Sequence, residues 1–175
     1  MEVILNAKQI DKAMVDMAGY VVANYLSLSE IAVIGIRSRG EILAQRLSRL
    51  LSEKTDKEIP CGTLDITLYR DDWNAFHGDS QPQVRTTEIG FNIDDKTIVL
   101  VDDVLYTGRS TRAALDALID IGRPKAIKLA VLVERAGREF PIHADFAACK
   151  ISLEPEKTVY VRLVESDEKD EVVVE

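Results

Sequence analysis

The chain has only two cysteines in 175 residues, Cys61 and Cys149. Neither belongs to a CxxC pair or stands at metal-ligand spacing from a histidine, which excludes a disulfide framework and a zinc site built on these thiols. No run approaches the roughly 18 to 20 apolar residues that a membrane span requires. The opening MEVILNAKQ lacks a basic segment followed by an apolar one, so no secretory leader is expected. These absences predict a cytoplasmic protein with reduced thiols and no membrane partner. No repeat, low-complexity tract or linker interrupts the chain, and residues 1–175 are read as one domain with one core.

Positive charge is in short supply. Lys plus Arg number 22 against 30 Asp plus Glu, a formal charge of -8. That balance disfavours long-range attraction to nucleic acid but leaves room for a local basic pocket.

What the chain does contain is alternation. Asn6 to Ser27 carries Ile10, Ala13, Met14, Met17, Val21 and Val22 at helical spacing, and Asn6 with Gln9 has the form of a capping box. Ile31 to Ile36 is a continuous apolar run, followed by Ile42, Leu43, Leu47, Leu50 and Leu51 at helical spacing: a buried strand, a turn and a helix. Gly62 to Tyr69 alternates apolar and polar residues and reads as a strand. It leads into an aperiodic polar stretch, Arg70 to about Phe91, with Trp73, His77, Gly78 and Pro82, which reads as a mobile lid or extended hairpin. Thr97 to Val101 is a second buried strand, followed by a turn at Gly108 and a helix bearing Ala113, Ala114, Leu115, Leu118 and Ile119. A third strand, Lys128 to Val133, comes next. Strands alternating with helices predict an α/β fold, a mostly parallel central sheet flanked by helices, with ligands at the carboxyl ends of the strands.

The run Val99 to Thr111, VLVDDVLYTGRST, carries the most chemistry. Free backbone NH groups at a helix start, with the Ser110 and Thr111 hydroxyls, make a cradle for a phosphate dianion, and Gly108 lets the backbone approach it. Asp102 and Asp103 would repel a phosphate, so beside that cradle they suit vicinal hydroxyls or a cation. Phosphate plus vicinal hydroxyls describes ribose 5-phosphate. Paired acids after a strand also mark receiver domains, but that pattern needs the acids near the domain start and a later strand ending in Asp; here the next strand ends in Glu134. A second turn, GIRSRG from Gly35 to Gly40, places two arginines at the end of the first core strand, where they can clamp a pyrophosphate.

VLVDDVLYTGRST resembles the 5-phosphoribosyl 1-pyrophosphate (PRPP) motif of type I phosphoribosyltransferases, and GIRSRG resembles their pyrophosphate loop. With DITLYRDD (65–72), the extension of the motif to IDIGRP (119–124) and LAVLVERAGREFPIHAD (129–145), the resemblance covers nearly the whole chain and is to the PyrR family. That family comprises bifunctional pyrimidine-operon attenuators and uracil phosphoribosyltransferases. The resemblance implies the type I phosphoribosyltransferase fold, with a small hood and a flexible loop.

It also implies roles. Asp102, Asp103 and Arg39 are the catalytic candidates. Ser38, Arg39, Gly40, Tyr69, Arg70, Asp71, Asp72, Val104, Leu105, Tyr106, Thr107, Gly108, Arg109, Ser110 and Thr111 would bind PRPP or nucleotide. The base would lie under a hood built after the Lys128 to Val133 strand, with Asp145, Phe146 and Ala147 in contact; Phe146 either stacks on uracil or is a core aromatic. Mg2+ would be held through ligand oxygens, with Asp102 and Asp103 as the available protein ligands. The implied partners are PRPP, uracil, UMP and further copies of the chain, as a homodimer or higher homo-oligomer. Operon leader RNA is the alternative partner, and a regulator responsive to UMP and PRPP the alternative function. Family basic positions are thinned here: Met14, Val15, Asp16 and Met17 occupy the first helix, and His143, Ala148 and Cys149 replace basic or glycine positions near the expected hood, while Arg135 and Arg138 remain.

The chemistry expected is a dissociative, oxocarbenium-like displacement under a closed loop, with no protein nucleophile. Asp103 is one candidate for the proton acceptor of the base. Purine or orotate specificity is the competing choice of substrate.

Overall fold

A computed structural model describes residues 1–25, 30–72 and 84–175. Trp73, His77, Gly78 and Pro82, and with them half of the expected lid, lie outside the described residues.

In chain order, strand β1 (Glu2–Asn6) leads into helix α1 (Ala7–Asn24), and β2 (Ile31–Ile36) into α2 (Arg39–Thr55). Strand β3 (Cys61–Leu64) is followed by a 3-10 turn, Thr67–Tyr69, and β4 (Thr97–Leu105) by α3 (Arg109–Ile121). The chain continues through β5 (Ala126–Arg135), β6 (Phe146–Ile151), β7 (Val159–Arg162), a single helical turn, Val164–Asp167, and β8 (Glu171–Val174).

The expected capping box starts α1: Asn6 Oδ1 accepts from the Gln9 NH at 3.0 Å, and Gln9 Oε1 accepts from the Asn6 NH at 2.9 Å. Ile10, Ala13, Met14, Met17 and Val21 form its buried stripe. Every residue of β2 is buried, as its unbroken apolar run predicts. The strand expected from Gly62 to Tyr69 stops at Leu64, because Asp65 Oδ1 accepts from the backbone NH and the hydroxyl of Thr67 and turns the chain. Strand β4 runs past Val101 to Leu105, so Asp102 and Asp103 lie within the strand.

Five parallel strands form one sheet in the order β3-β2-β4-β5-β6. One face packs through Val33, Val99, Val101 and Leu132 against α1 and α2. The other face packs through Ile34, Ile98, Leu100 and Val131 against α3. A second, antiparallel sheet of order β1-β8-β7 joins strands from the two ends of the chain. Its Val161 and Val172 enter the same apolar cluster as α1 and α2. The expected small hood is this terminal sheet, two of whose strands, β7 and β8, come after β5, whereas Phe146–Ile151 form β6, an edge strand of the main sheet.

Among the described residues no helix is long and apolar enough to cross a membrane.

Candidate active site

The strand order reverses direction between β2 and β4. From β2 the chain leaves toward the β3 edge, and from β4 toward β5 and β6, so a crevice opens at the carboxyl ends of β2 and β4. Two glycines let the crevice walls meet. A Cβ on Gly35 would sit 2.3 Å from the Gly40 carbonyl oxygen, and one on Gly40 would sit 2.6 Å from the Val101 carbonyl oxygen. The first turn of α2 thus rests on the end of β4, beside Asp102.

Asp102 is buried and Asp103 half-buried at that end. Asp102 Oδ1 accepts from the Asp103 NH at 2.9 Å, and Asp103 Oδ1 from the Val104 NH at 2.8 Å. These bonds hold both carboxylates at the strand terminus. Burial, then the charge of Asp103, pushes the Asp102 carboxyl well above the ordinary carboxylate range. Burial also raises the Asp103 carboxyl, against its hydrogen bonds and the nearby charge of Arg39. A buried pair of acids beside an open cavity is suited to meeting hydroxyls or a cation from a ligand.

The turn beyond them bends at Gly108, whose φ of 91° favours glycine. A Cβ there would also come within 3.2 Å of Phe140 Cβ. Helix α3 starts at Arg109 behind Gly108, which has no side chain to cap it; apart from a 3.3 Å bond from the Arg109 NH to Thr107 Oγ1, the backbone donors of the first turn are left for the cavity. Thr107, Gly108, Arg109, Ser110 and Thr111 line a cavity of about 470 Å³ together with Val104, Leu105, Tyr106, Arg70, Asp71 and Asp72. Across the crevice, Arg39 opens α2, with Ser38 Oγ 3.3 Å from its Nη1. Arg37, the other arginine of GIRSRG, is held by Glu41 at 2.9 Å and by the Thr86 carbonyl. Glu41 belongs to α2 itself, and Thr86 to the segment that bridges to β3 at Thr63.

The phosphoribosyl transferase domain family matches residues 2–166. Bifunctional protein PyrR of Syntrophobacter fumaroxidans is 47% identical over 173 residues, covering 99% of this chain and 92% of that protein. The chain belongs to the PyrR family. Bifunctional protein PyrR of Thermus thermophilus is likewise 47% identical, over 97% of this chain and 92% of its own. In fold, the chain is similar to hypoxanthine phosphoribosyltransferase from Trypanosoma cruzi in complex with the product IMP. The TM-score is 0.74 at 16% identity, over 99% of this chain and 92% of that one.

The turn Thr107 to Thr111 is buttressed by residues that sequence reasoning missed. After β5, the backbone NH groups of Glu139 and Phe140 both donate to the Thr107 carbonyl, at 2.9 and 3.1 Å. Arg109 pairs with Glu139 at 2.6 Å and with Asp71 at 2.8 Å, and its guanidinium lies 5.1 Å from the centre of the Phe140 ring. Arg135 stacks on Tyr106 at 4.1 Å, and Gly137 at φ 127° leaves room for that ring. The sequence signal available was Gly137 itself, in a segment otherwise without periodicity. With Arg109 matched by two acids, the cavity offers backbone NH groups and hydroxyls rather than a free cation. At the start of the polar stretch, Arg70 grips both oxygens of Asp72 at 2.9 Å, which lowers that carboxyl. Tyr69 is pinned to α3 through Asp120 and Arg112.

Of the expected site residues the cavity is lined by Arg70 to Asp72 and Val104 to Thr111; Ser38, Arg39, Gly40, Tyr69, Asp102, Asp103 and the three residues expected at the base, Asp145, Phe146 and Ala147, are not in its lining. Asp145 Oδ2 accepts from the Leu129 NH at 2.9 Å, and its other oxygen meets Lys128 at 3.5 Å, which ties the start of β6 to β5. Phe146 packs on Tyr20 of α1 with ring centroids 5.7 Å apart, the core-aromatic alternative. Ala147 pairs with Val131 inside the sheet. This segment enters the sheet as the edge strand β6.

Proposed function

We propose that the protein transfers the phosphoribosyl group of PRPP to uracil, releasing UMP and pyrophosphate. The observation that supports this reading is the contact of the Asp102 and Asp103 strand end with the first turn of α2, which carries Arg39, beside the hydroxyl-rich turn Thr107 to Thr111 that follows β4. Backbone NH groups of the turn with the Ser110 and Thr111 hydroxyls hold the 5-phosphate and fix the sugar. The two carboxylates accept hydrogen bonds from the ribose hydroxyls and face the positive charge that grows on the ring as the bond from C1 to pyrophosphate lengthens. Arg39 and the Ser38 and Gly40 backbone receive the charge of the departing pyrophosphate.

Among the described residues no three acidic, histidine or cysteine side chains converge on one point. Two buried acids fit Mg2+, which keeps water and phosphate oxygens in most of its coordination sphere. Asp102 and Asp103 would hold it, through water or directly, and when bound it neutralises pyrophosphate oxygens. Uracil, rather than a purine, is the acceptor that the family resemblance favours, with Asp103 one candidate to take its proton. Purified protein given PRPP, magnesium and labelled uracil, hypoxanthine or orotate is expected to label UMP alone. Turnover of hypoxanthine or orotate at a comparable rate would refute the uracil assignment.

A second reading, regulation through operon leader RNA, draws on Arg135, Arg138 and Lys150 at the carboxyl ends of β5 and β6. Glu134 answers two of them, with Arg138 at 2.8 Å and Lys150 at 2.9 Å. On α1, Lys12 is paired with Asp16. Each cation taken up this way removes a phosphate contact and flattens the salt dependence of binding. Filter binding of the leader RNA with UMP, at two salt concentrations, is expected to give micromolar affinity with a shallow slope. Nanomolar, sequence-specific binding with a steep slope would restore the regulatory role.

A further inference from the structure

Arg39 does not stand alone at the crevice. Its Nη2 donates to Asp167 Oδ1 at 2.9 Å, a contact between the first residue of α2 and the helical turn of the terminal sheet. Asp167 is itself immobilised. Its other oxygen accepts from the Leu163 NH at 3.0 Å and from the Ser166 hydroxyl at 2.6 Å, so Oδ1 is left to face Arg39.

The turn that carries Asp167 is fastened to the same helix two turns further on. Arg46, buried for the most part, donates to both oxygens of Asp170 at 2.8 and 2.9 Å and to both oxygens of Glu165. Asp170 also accepts from the Val164 NH at 2.8 Å. Positions seven apart share one helix face, so α2 presents two arginines to one turn: Arg46 fastens it and Arg39 is oriented by it.

We propose that Asp167 is a positioning residue: a carboxylate on the terminal sheet that aims the Arg39 guanidinium at the pyrophosphate of PRPP. This rests on the reading of Arg39 as the pyrophosphate ligand. The need for such a residue follows from the neighbours. Arginine side chains lose rotamer freedom when they are ordered, and a guanidinium held beforehand loses less of it on binding. Arg39 also has a competing destination, since Asp103 is near enough to feel its charge. Folding onto Asp103 would take the carboxylate from the ribose and the cation from the leaving group at once. Asp167 holds one Nη group on the opposite side. The Arg39 Nη1 is only weakly engaged, with Ser38 Oγ at 3.3 Å, so a donor remains for an incoming anion.

The test is a double-mutant cycle of Asp167→Asn and Arg39→Ala, read by calorimetry with magnesium pyrophosphate, PRPP and UMP. Asp167→Asn is expected to weaken pyrophosphate and PRPP by roughly tenfold, the loss of one charge-assisted orienting bond, and to leave UMP within about twofold. In the Arg39→Ala background it should have no further effect, because the residue it acts through is gone. In steady state the KM for PRPP should rise with kcat held, and Asp167→Glu should recover part of the loss. Equal weakening of UMP, an undiminished effect in the Arg39→Ala background, or tighter pyrophosphate binding would each overturn the proposal. The last would mean that Asp167 competes with the ligand. If the wild type binds neither anion, this proposal and the phosphoribosyltransferase reading fail together. If it binds both but leaves uracil unconverted, only the uracil assignment fails and the cycle still decides the role of Asp167.

Discussion

Asparagine in place of Asp102 is expected to lower kcat/KM with PRPP by roughly ten- to a hundredfold, the worth of a charge-assisted hydrogen bond of about 1.5 to 3 kcal/mol. The same change is expected to raise the thermal midpoint of the ligand-free protein at neutral pH. Both follow from one geometry. Asn keeps an oxygen for the Asp103 NH, so the strand end survives, but it removes a buried negative charge that lies beside another. Because burial raises the native carboxyl, the folded state holds its proton to higher pH than the unfolded chain does. The penalty on the folded state is absent below the unfolded value of about 3.9, grows as pH rises through the raised native value, and is full beyond it. The asparagine variant should therefore gain most above the native value, with the two midpoints converging in acid. Thermal melts at pH 4 and pH 8 beside steady-state assays check both halves. Unchanged kinetics would remove the ribose role, and a lower midpoint at pH 8 would contradict the electrostatic account.

Gly40→Ala is expected to cost about a hundredfold in kcat/KM, although it adds a single methyl group. Its Cβ would lie 2.6 Å from the Val101 carbonyl oxygen and 3.2 Å from Asp102 Cα, both backbone atoms with nowhere to rotate. The start of α2 must back away from β4, carrying Arg39 off the crevice, and a displacement near 1 Å is worth about 10²-fold. Overpacking of this kind also costs about 1 to 3 kcal/mol of stability. The control is Gly19→Ala in α1, where nothing lies within 4 Å of the added carbon. There alanine should stabilise by up to about 1 kcal/mol through helix propensity and leave kinetics alone. Wild-type turnover in Gly40→Ala would show that the crevice walls do not need this contact.

How far the sequence could be read depends on whether the information was local. Helix α1 was legible because its cap and its apolar stripe lie within the helix, and β2 because burial on both faces demands an unbroken apolar run. Asp102, Asp103 and the Thr107 to Thr111 turn were legible for the same reason, as one contiguous thirteen-residue segment holds acids, bend and helix start. Gly62 to Tyr69 misled because its alternation continues past Leu64 while Asp65 turns the backbone. The strands of the terminal sheet were invisible for a different reason: strands of four or five residues such as Val159–Arg162 carry little pattern, and their partners lie far away in sequence. Phe146 could be recognised as an aromatic near the third strand, but its packing on Tyr20 depends on how α1 folds back. The Arg39 and Asp167 pairing, 128 positions apart, left no local trace.

Strand β1 pairs with β8, so almost the whole chain separates two neighbours in one sheet. Glu2–Asn6 is made well before Glu171–Val174, and it has no strand to pair with until that segment follows. The central sheet, whose strands are joined by short crossovers, can assemble in the meantime, while closing the largest loop in the molecule comes last. The turn Thr107 to Thr111 is therefore made before Asp167, and the contact of Arg39 with Asp167 forms only once the terminal sheet is in place.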